Sequence, residues 1–249
     1  MDLDNLRWEA FVFDWDGTIM DTTALIAEGM QHAAVAMGFE DPGYEKALST
    51  VGLSRAEYMP ILCPDCPPER WDEFRNLYFA WYLKKEEELP MREGFEKLLY
   101  AMHKAGLRLA IATGKSRGGL NRVFNRFDCA EIFEATRTGD DTFSKPNPAM
   151  LFEISDEMGV SLDRMVMIGD SEHDLLMAQN AGCDAVGILG GASSKEVLEK
   201  IPHVALVSNV RELAEALGLS ALLDEEKVET SEGADEFTPV ETGDDIRLI

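Results

Sequence analysis

Short apolar runs recur along the chain, and most are followed by a pattern with helical spacing. The runs at residues 9–13, 108–112, 132–135, 164–168, 185–188 and 204–207 predict strands. Runs this short, bounded by turn residues, fit strands covered on both faces. Between them the apolar positions switch to a period near 3.6: Phe95, Leu98, Leu99 and Met102 make one stripe, and Met150, Leu151, Ile154 and Met158 make another. Alternation of this kind predicts parallel βαβ units, hence an α/β chain with a Rossmann-like parallel sheet at its core.

The rhythm breaks once. Between residues 13 and 108 no run reads as a strand. A helix is predicted over 22–37, with Ile26, Met30, Ala33 and Met37 on one face. A second is predicted over 68–88, where Trp71, Phe74, Tyr78 and Trp81 share a face expected to be core of the inserted module, not a base-stacking platform. The expected organisation is a catalytic core from residues 1–20 and 91–220, an all-helical insertion over 21–90, and an acidic tail over 221–249. A chain of 249 residues is long enough for a domain plus such a module.

Charge narrows the partners. With 47 acidic against 23 basic side chains, a net charge of −24 repels nucleic-acid backbones and anionic membranes, so neither is expected as a partner. Residues 224–247 hold ten acids against Lys227 and Arg247 and few large apolar side chains, which predicts a disordered, solvated tail. No apolar run approaches the roughly 18 residues of a membrane helix, and the acidic start lacks a signal-peptide pattern. A cytoplasmic protein is expected. Cys63 and Cys66 have zinc-like spacing in CPDC, but no second close pair or histidine cluster accompanies them. Together with Cys129 and Cys183 they are expected to be reduced loop and core thiols.

Candidate chemistry collects where the predicted strands end. In open α/β sheets ligands bind beyond the carboxyl ends of the strands. The first strand ends in FVFDWDGTI, placing Asp14 and Asp16 one residue apart. The second is followed by Thr113-Gly114-Lys115-Ser116, the third by SKPNP with Lys145, and the fourth by GDSEHD with Asp170 and Asp174. Two other interpretations fail on spacing. An EF-hand counted from Asp14 would need Glu where Leu25 stands, and a P-loop ending in TGKS would need Gly where Leu109 stands. His173 is expected to be a surface residue opening the next helix.

These motifs resemble those of the haloacid-dehalogenase-like superfamily, over about residues 8–217. Asp14 to Thr18 matches its hhhDxDGT, Thr113 its Thr or Ser after a strand, Lys145 its lysine, and Gly169 to Asp174 its GDxxxD. The helical insertion resembles the family's cap, and the chain as a whole resembles the phosphoglycolate phosphatase-like branch. The resemblance implies a phosphatase in which Asp14 attacks phosphorus and Asp16 acts as acid and then base. Thr113, Gly114 and Lys145 would hold the phosphoryl group. Mg²⁺ would bind the Asp14 carboxylate, the Asp16 carbonyl and Asp170, with Asp174 in or next to the ligand set. The implied partner is a small phosphorylated metabolite. VGLSR, residues 51–55, resembles a substrate-facing cap loop, where Arg55 either pairs with a substrate carboxylate or simply opens the next helix. Asp16 separates the chain from dehalogenases, transport ATPases and phosphonatases. A β-phosphoglucomutase-like transferase keeps both aspartates and stands as the alternative, and a non-catalytic binding protein stands as the alternative from another class.

Overall fold

The computed structural model describes residues 6–53 and 55–224. The acidic segment beyond, with its expected disorder, lies outside the described residues. Six strands form one sheet: β1 (Ala10–Phe13), β2 (Arg108–Ala112), β3 (Phe133–Arg137), β4 (Met165–Gly169), β5 (Asp184–Ile188) and β6 (Ala205–Val207). Every pair is parallel and the order is β3-β2-β1-β4-β5-β6. The order reverses at β1, which makes its carboxyl end the switch point where such sheets bind ligands.

Register brings the functional edge together. Phe13 sits level with Ile111 on one side and Ile168 on the other. The residues just past these positions therefore leave the sheet side by side: Asp14, Thr113 and Asp170.

Helices α1 (Thr23–Ala36), α2 (Tyr44–Leu48), α3 (Arg55–Leu62) and α4 (Trp71–Glu86) fill the span between β1 and β2. The remaining helices are α5 (Phe95–Lys104), α6 (Arg117–Phe127), α7 (Ala149–Met158), α8 (Glu172–Ala181), α9 (Lys195–Leu198), α10 (Val210–Ala216) and α11 (Ala221–Asp224). Alternation along the strands divides the core into two faces. Phe11, Phe13, Leu109, Ile111, Val166 and Ile168 face α5, α6 and α10. Val12, Ala110, Met165 and Met167 face the stripe of α7 and the inner side of α8.

The insertion has a core of its own. Ile26, Met30, Ala33 and Met37 pack with Met59, Leu62, Phe74 and Tyr82, and the buried free thiols Cys63 and Cys66 belong to the same cluster. The chain crosses into it and back at one place, where Met20 and Met91 form an antiparallel bridge and the Arg92 amide donates to the Ile19 carbonyl at 2.8 Å. The fold also continues past residue 220, because Leu222 of α11 packs into the first core face. No described helix is long and apolar enough to cross a membrane.

Candidate active site

Asp14 continues the ladder by donating its amide to the Ile168 carbonyl at 2.9 Å. The chain then turns, with Gly17 at φ +83°. A side chain at Gly17 would sit 2.2 Å from Asp170 Oδ2, so only glycine lets this loop approach the next strand end. Trp15 points the other way, fully buried edge-on to Phe124 at 5.5 Å. Asp14 and Asp16 on either side of this anchor line the cavity instead.

Asp14, Asp170 and Asp174 form a buried cluster whose carboxylate oxygens lie within 4.8 Å of one another. Each is fixed by separate contacts. Asp170 accepts from Thr18 Oγ1 at 2.9 Å and from the Ala192 amide at 2.7 Å. Asp174 closes a capping box with Ser171 at the start of α8, which holds Oδ2 and turns Oδ1 toward Lys145. Lys145 Nζ bridges Asp14 at 3.0 Å and Asp174 at 2.6 Å. With all three carboxyls ionised against one ammonium, two negative charges would be in excess. Burial, reinforced by the neighbouring acids, pushes Asp14 up to about 7 and Asp170 up to about 8, with Lys145 pulling Asp14 back down. Burial pulls the Lys145 ammonium down, but Asp14 and Asp174 outweigh it and hold it above its ordinary value.

The Asp16 side chain stands apart from this cluster. It accepts from Thr22 Oγ1 at 2.7 Å and from Lys115 Nζ at 2.8 and 3.0 Å. Asp14, Asp16, Thr113 and Gly114 line a cavity of about 560 Å³ whose opposite wall comes from the insertion. The insertion sits directly on the site. A side chain at Gly114 would lie 2.6 Å from the Gly52 carbonyl, so the two backbones meet there without side chains between them.

The haloacid dehalogenase-like hydrolase family model matches residues 11–188. The chain belongs to this family. It is similar to a phosphoglycolate phosphatase of Vibrio cholerae, 28% identical over 219 residues that cover 84% of this chain and 96% of the relative. A phosphoglycolate phosphatase of Salmonella typhi is 27% identical over 240 residues, 87% of this chain and 94% of that one. Among solved structures, CbbY from Rhodobacter sphaeroides in complex with phosphate matches with a TM-score of 0.72 at 26% identity, covering 85% of this chain and 100% of that one.

Within this family framework, the acidic cluster suits a divalent cation. Its donors are hard oxygens, few in number, already oriented by second contacts, and, with all three ionised, in excess by two charges. His173, the second residue of α8, is half-buried and stands outside this donor set. Arg55 lies at the cavity rim, and its guanidinium is held by Asp72 at 2.6 Å.

Sequence reasoning overlooked one group and saw only part of what another does. Lys115 was visible only as the end of a failed P-loop pattern, yet its Nζ joins Asp16 to Glu86, 3.1 Å away at the end of α4. Arg122 of α6 secures the other oxygen of Glu86 at 2.7 Å, and the Tyr82 hydroxyl donates to Glu86 at 2.8 Å. Burial raises Glu86, but Lys115, Arg122 and Tyr82 together bring it below the usual carboxylate range. The aromatic face expected to be module core does pack on it, with Trp71, Tyr78 and Trp81 against the cluster that holds Phe74, but part of it also faces the cavity. Phe74 is fully buried, whereas Trp71 and Tyr78 line the cavity, and Trp81 stacks on His32 at 5.8 Å. A helix surface wider than one stripe serves both purposes, which spacing alone does not reveal.

Proposed function

We propose that the protein is a Mg²⁺-dependent phosphatase that hydrolyses a small phosphate monoester through an aspartyl-phosphate on Asp14. The observation that carries this reading is the pair of separately held carboxylates, Asp14 in the buried acid cluster and Asp16 in the Lys115–Thr22 clamp. One Asp14 oxygen forms the bond to phosphorus as the ester oxygen leaves. Asp16 gives that oxygen a proton, then takes one from the water that opens the acyl phosphate. Thr113 and Gly114 line the cavity with Asp14, and their hydroxyl and amide would hold the phosphoryl oxygens, with Lys145 compensating charge from the buried side. Asp14, Asp170, Asp174 and the Asp16 carbonyl would hold the cation, which when bound offsets phosphate charge and polarises the phosphoryl group.

The insertion acts as a cap over the cavity, with residues 1–20 and 91–220 as the expected core and 21–90 as the expected cap. Phosphoglycolate, the substrate in the names of the Vibrio and Salmonella relatives, is the reference ester, with Arg55 the candidate partner for its carboxylate. Phosphate release from a panel of esters with Mg²⁺ tests the reading, and release from none of them defeats it.

Lys115 contributes through Asp16. Lys115→Met is expected to lower kcat about a hundredfold, because the acid–base group loses the charge that orients it. KM should change much less. Steady-state kinetics beside a urea unfolding curve separates this from loss of fold, and a KM effect without a kcat effect would show that Lys115 serves only to bind.

A further inference from the structure

The cavity has two ends of opposite character. Its floor carries the charged groups around Asp14 and Asp16, whereas its cap wall presents Ile26, Met30, Tyr58, Trp71, Tyr78 and Phe79. The rings are braced by one another: Tyr78 stacks on Tyr82 at 5.3 Å and 25°, meets Phe79 at 5.2 Å, and Tyr58 leans on Phe74 at 6.2 Å. Trp71 is tied by its indole N–H to the Cys66 carbonyl at 3.2 Å. Such a wall is set before any ligand arrives, so little ordering is needed on binding.

The cations around the cavity already have acids. Arg55 and Arg75 both reach Asp72, at 2.6 and 3.6 Å, Arg122 holds Glu86, and Lys115 holds Asp16 and Glu86. A carboxylate lodged against Tyr78 and Phe79 would be dehydrated facing carbon, whereas one at the rim would share Arg55 and Arg75 with the exposed Asp72. Size points the same way. About 560 Å³ lies within the roughly 300–1,000 Å³ of pockets that enclose drug-sized ligands, and a two-carbon acid phosphate would leave much of it to water.

Resting on the phosphatase reading, we propose that the preferred substrate is the phosphate monoester of an uncharged alcohol bearing an aromatic ring, with the phosphate at Asp14 and the ring against Tyr78 and Phe79. Such an ester fills the apolar end without breaking an ion pair. It also leaves the reaction at phosphorus unchanged.

The test compares kcat/KM for 2-phenylethyl phosphate, ethyl phosphate and phosphoglycolate with Mg²⁺. The first two release alcohols of similar acidity, so a difference between them reports recognition and not leaving-group strength. The expected result is a preference of at least about tenfold for the phenylethyl ester over both others, in line with what apolar pockets achieve. In Phe79→Ala that preference over ethyl phosphate should shrink toward one. Equal rates for the phenylethyl and ethyl esters, or a preference for phosphoglycolate, would overturn the proposal while leaving the phosphatase reading intact. Release from none of the three would overturn that reading and the proposal with it.

Discussion

An Asp14→Asn protein is expected to turn over at least about 10⁴-fold more slowly than its parent while keeping its fold. The two side chains have the same shape, so the amide of Trp15, 2.7 Å from Asp14 Oδ1, and Lys145 at 3.0 Å keep a neighbour. What disappears is the proposed nucleophile, since an amide oxygen is a poor one at phosphorus. The loss should fall on kcat, because Thr113 and Gly114, the groups proposed to hold the phosphate, are untouched. Asp16→Asn makes the informative contrast. It removes acid–base assistance, worth about 10²–10⁴-fold, but leaves the nucleophile. With an ester whose alcohol leaves readily, acid-quenched Asp16→Asn should therefore carry a phosphoryl group on the Asp14 peptide, detectable by mass spectrometry. Asp14→Asn should never carry it. Activity above about one part in a hundred in pure Asp14→Asn would remove Asp14 from the nucleophile's role.

The second large effect is expected from the cation. Chelation should abolish turnover and also change how stability depends on pH. Without a metal, burial and mutual repulsion raise Asp14 to about 7 and Asp170 to about 8, both above the ordinary 3.8 of an unfolded aspartate. The folded state then binds more protons than the unfolded chain between about pH 4 and 8. Stability is therefore highest below the unfolded value, declines through that window, and levels off once both groups are ionised. Carboxyls held below their ordinary range, Glu86 and Asp141 among them, have the opposite sign and act mainly below about pH 4.5. Urea unfolding with chelator should give a free energy lower at pH 8 than at pH 5 by about 2 kcal/mol or more. Mg²⁺ should stabilise the protein at both pH values and more strongly at pH 8, since its ligands bind as carboxylates. Asp170→Asn should flatten the chelator curve and remove most of the Mg²⁺ gain. A chelator curve that rises from pH 5 to pH 8 would show that the cluster does not carry this charge strain.

The sheet was legible because its signals are local. A strand buried on both faces needs only an unbroken apolar run, and all six runs became strands, with edges moved by a residue or two. The third begins at Phe133 because Ile132 belongs to a preceding helical turn and runs on to Arg137. The residues of the acid cluster were legible for the same reason, since each ends its strand or opens the next helix. The Lys115–Glu86–Arg122 network was not. Its members come from two helices and the loop between β2 and α6, and nothing in the neighbourhood of Glu86 in sequence marks it as facing Asp16. The state of Arg55 was hidden likewise, because its partner Asp72 is set by how α3 packs against α4. Trp15, unexplained as a letter between two aspartates, proves to be an anchor, fully buried against Phe124 in the core.

The paired crossing at Met20 and Met91 has a thermodynamic consequence for how such a chain can vary. The whole insertion is a loop whose ends are pinned beside each other on the core. The entropy lost in closing a flexible loop grows only with the logarithm of its length, about 0.6 kcal/mol for each doubling. A longer, shorter or unrelated insert therefore disturbs the sheet little, provided it leaves at residue 20 and returns at residue 91. The carboxylates at the strand ends would stay in place beneath it, so the wall facing the cavity can be exchanged without rebuilding the cluster below.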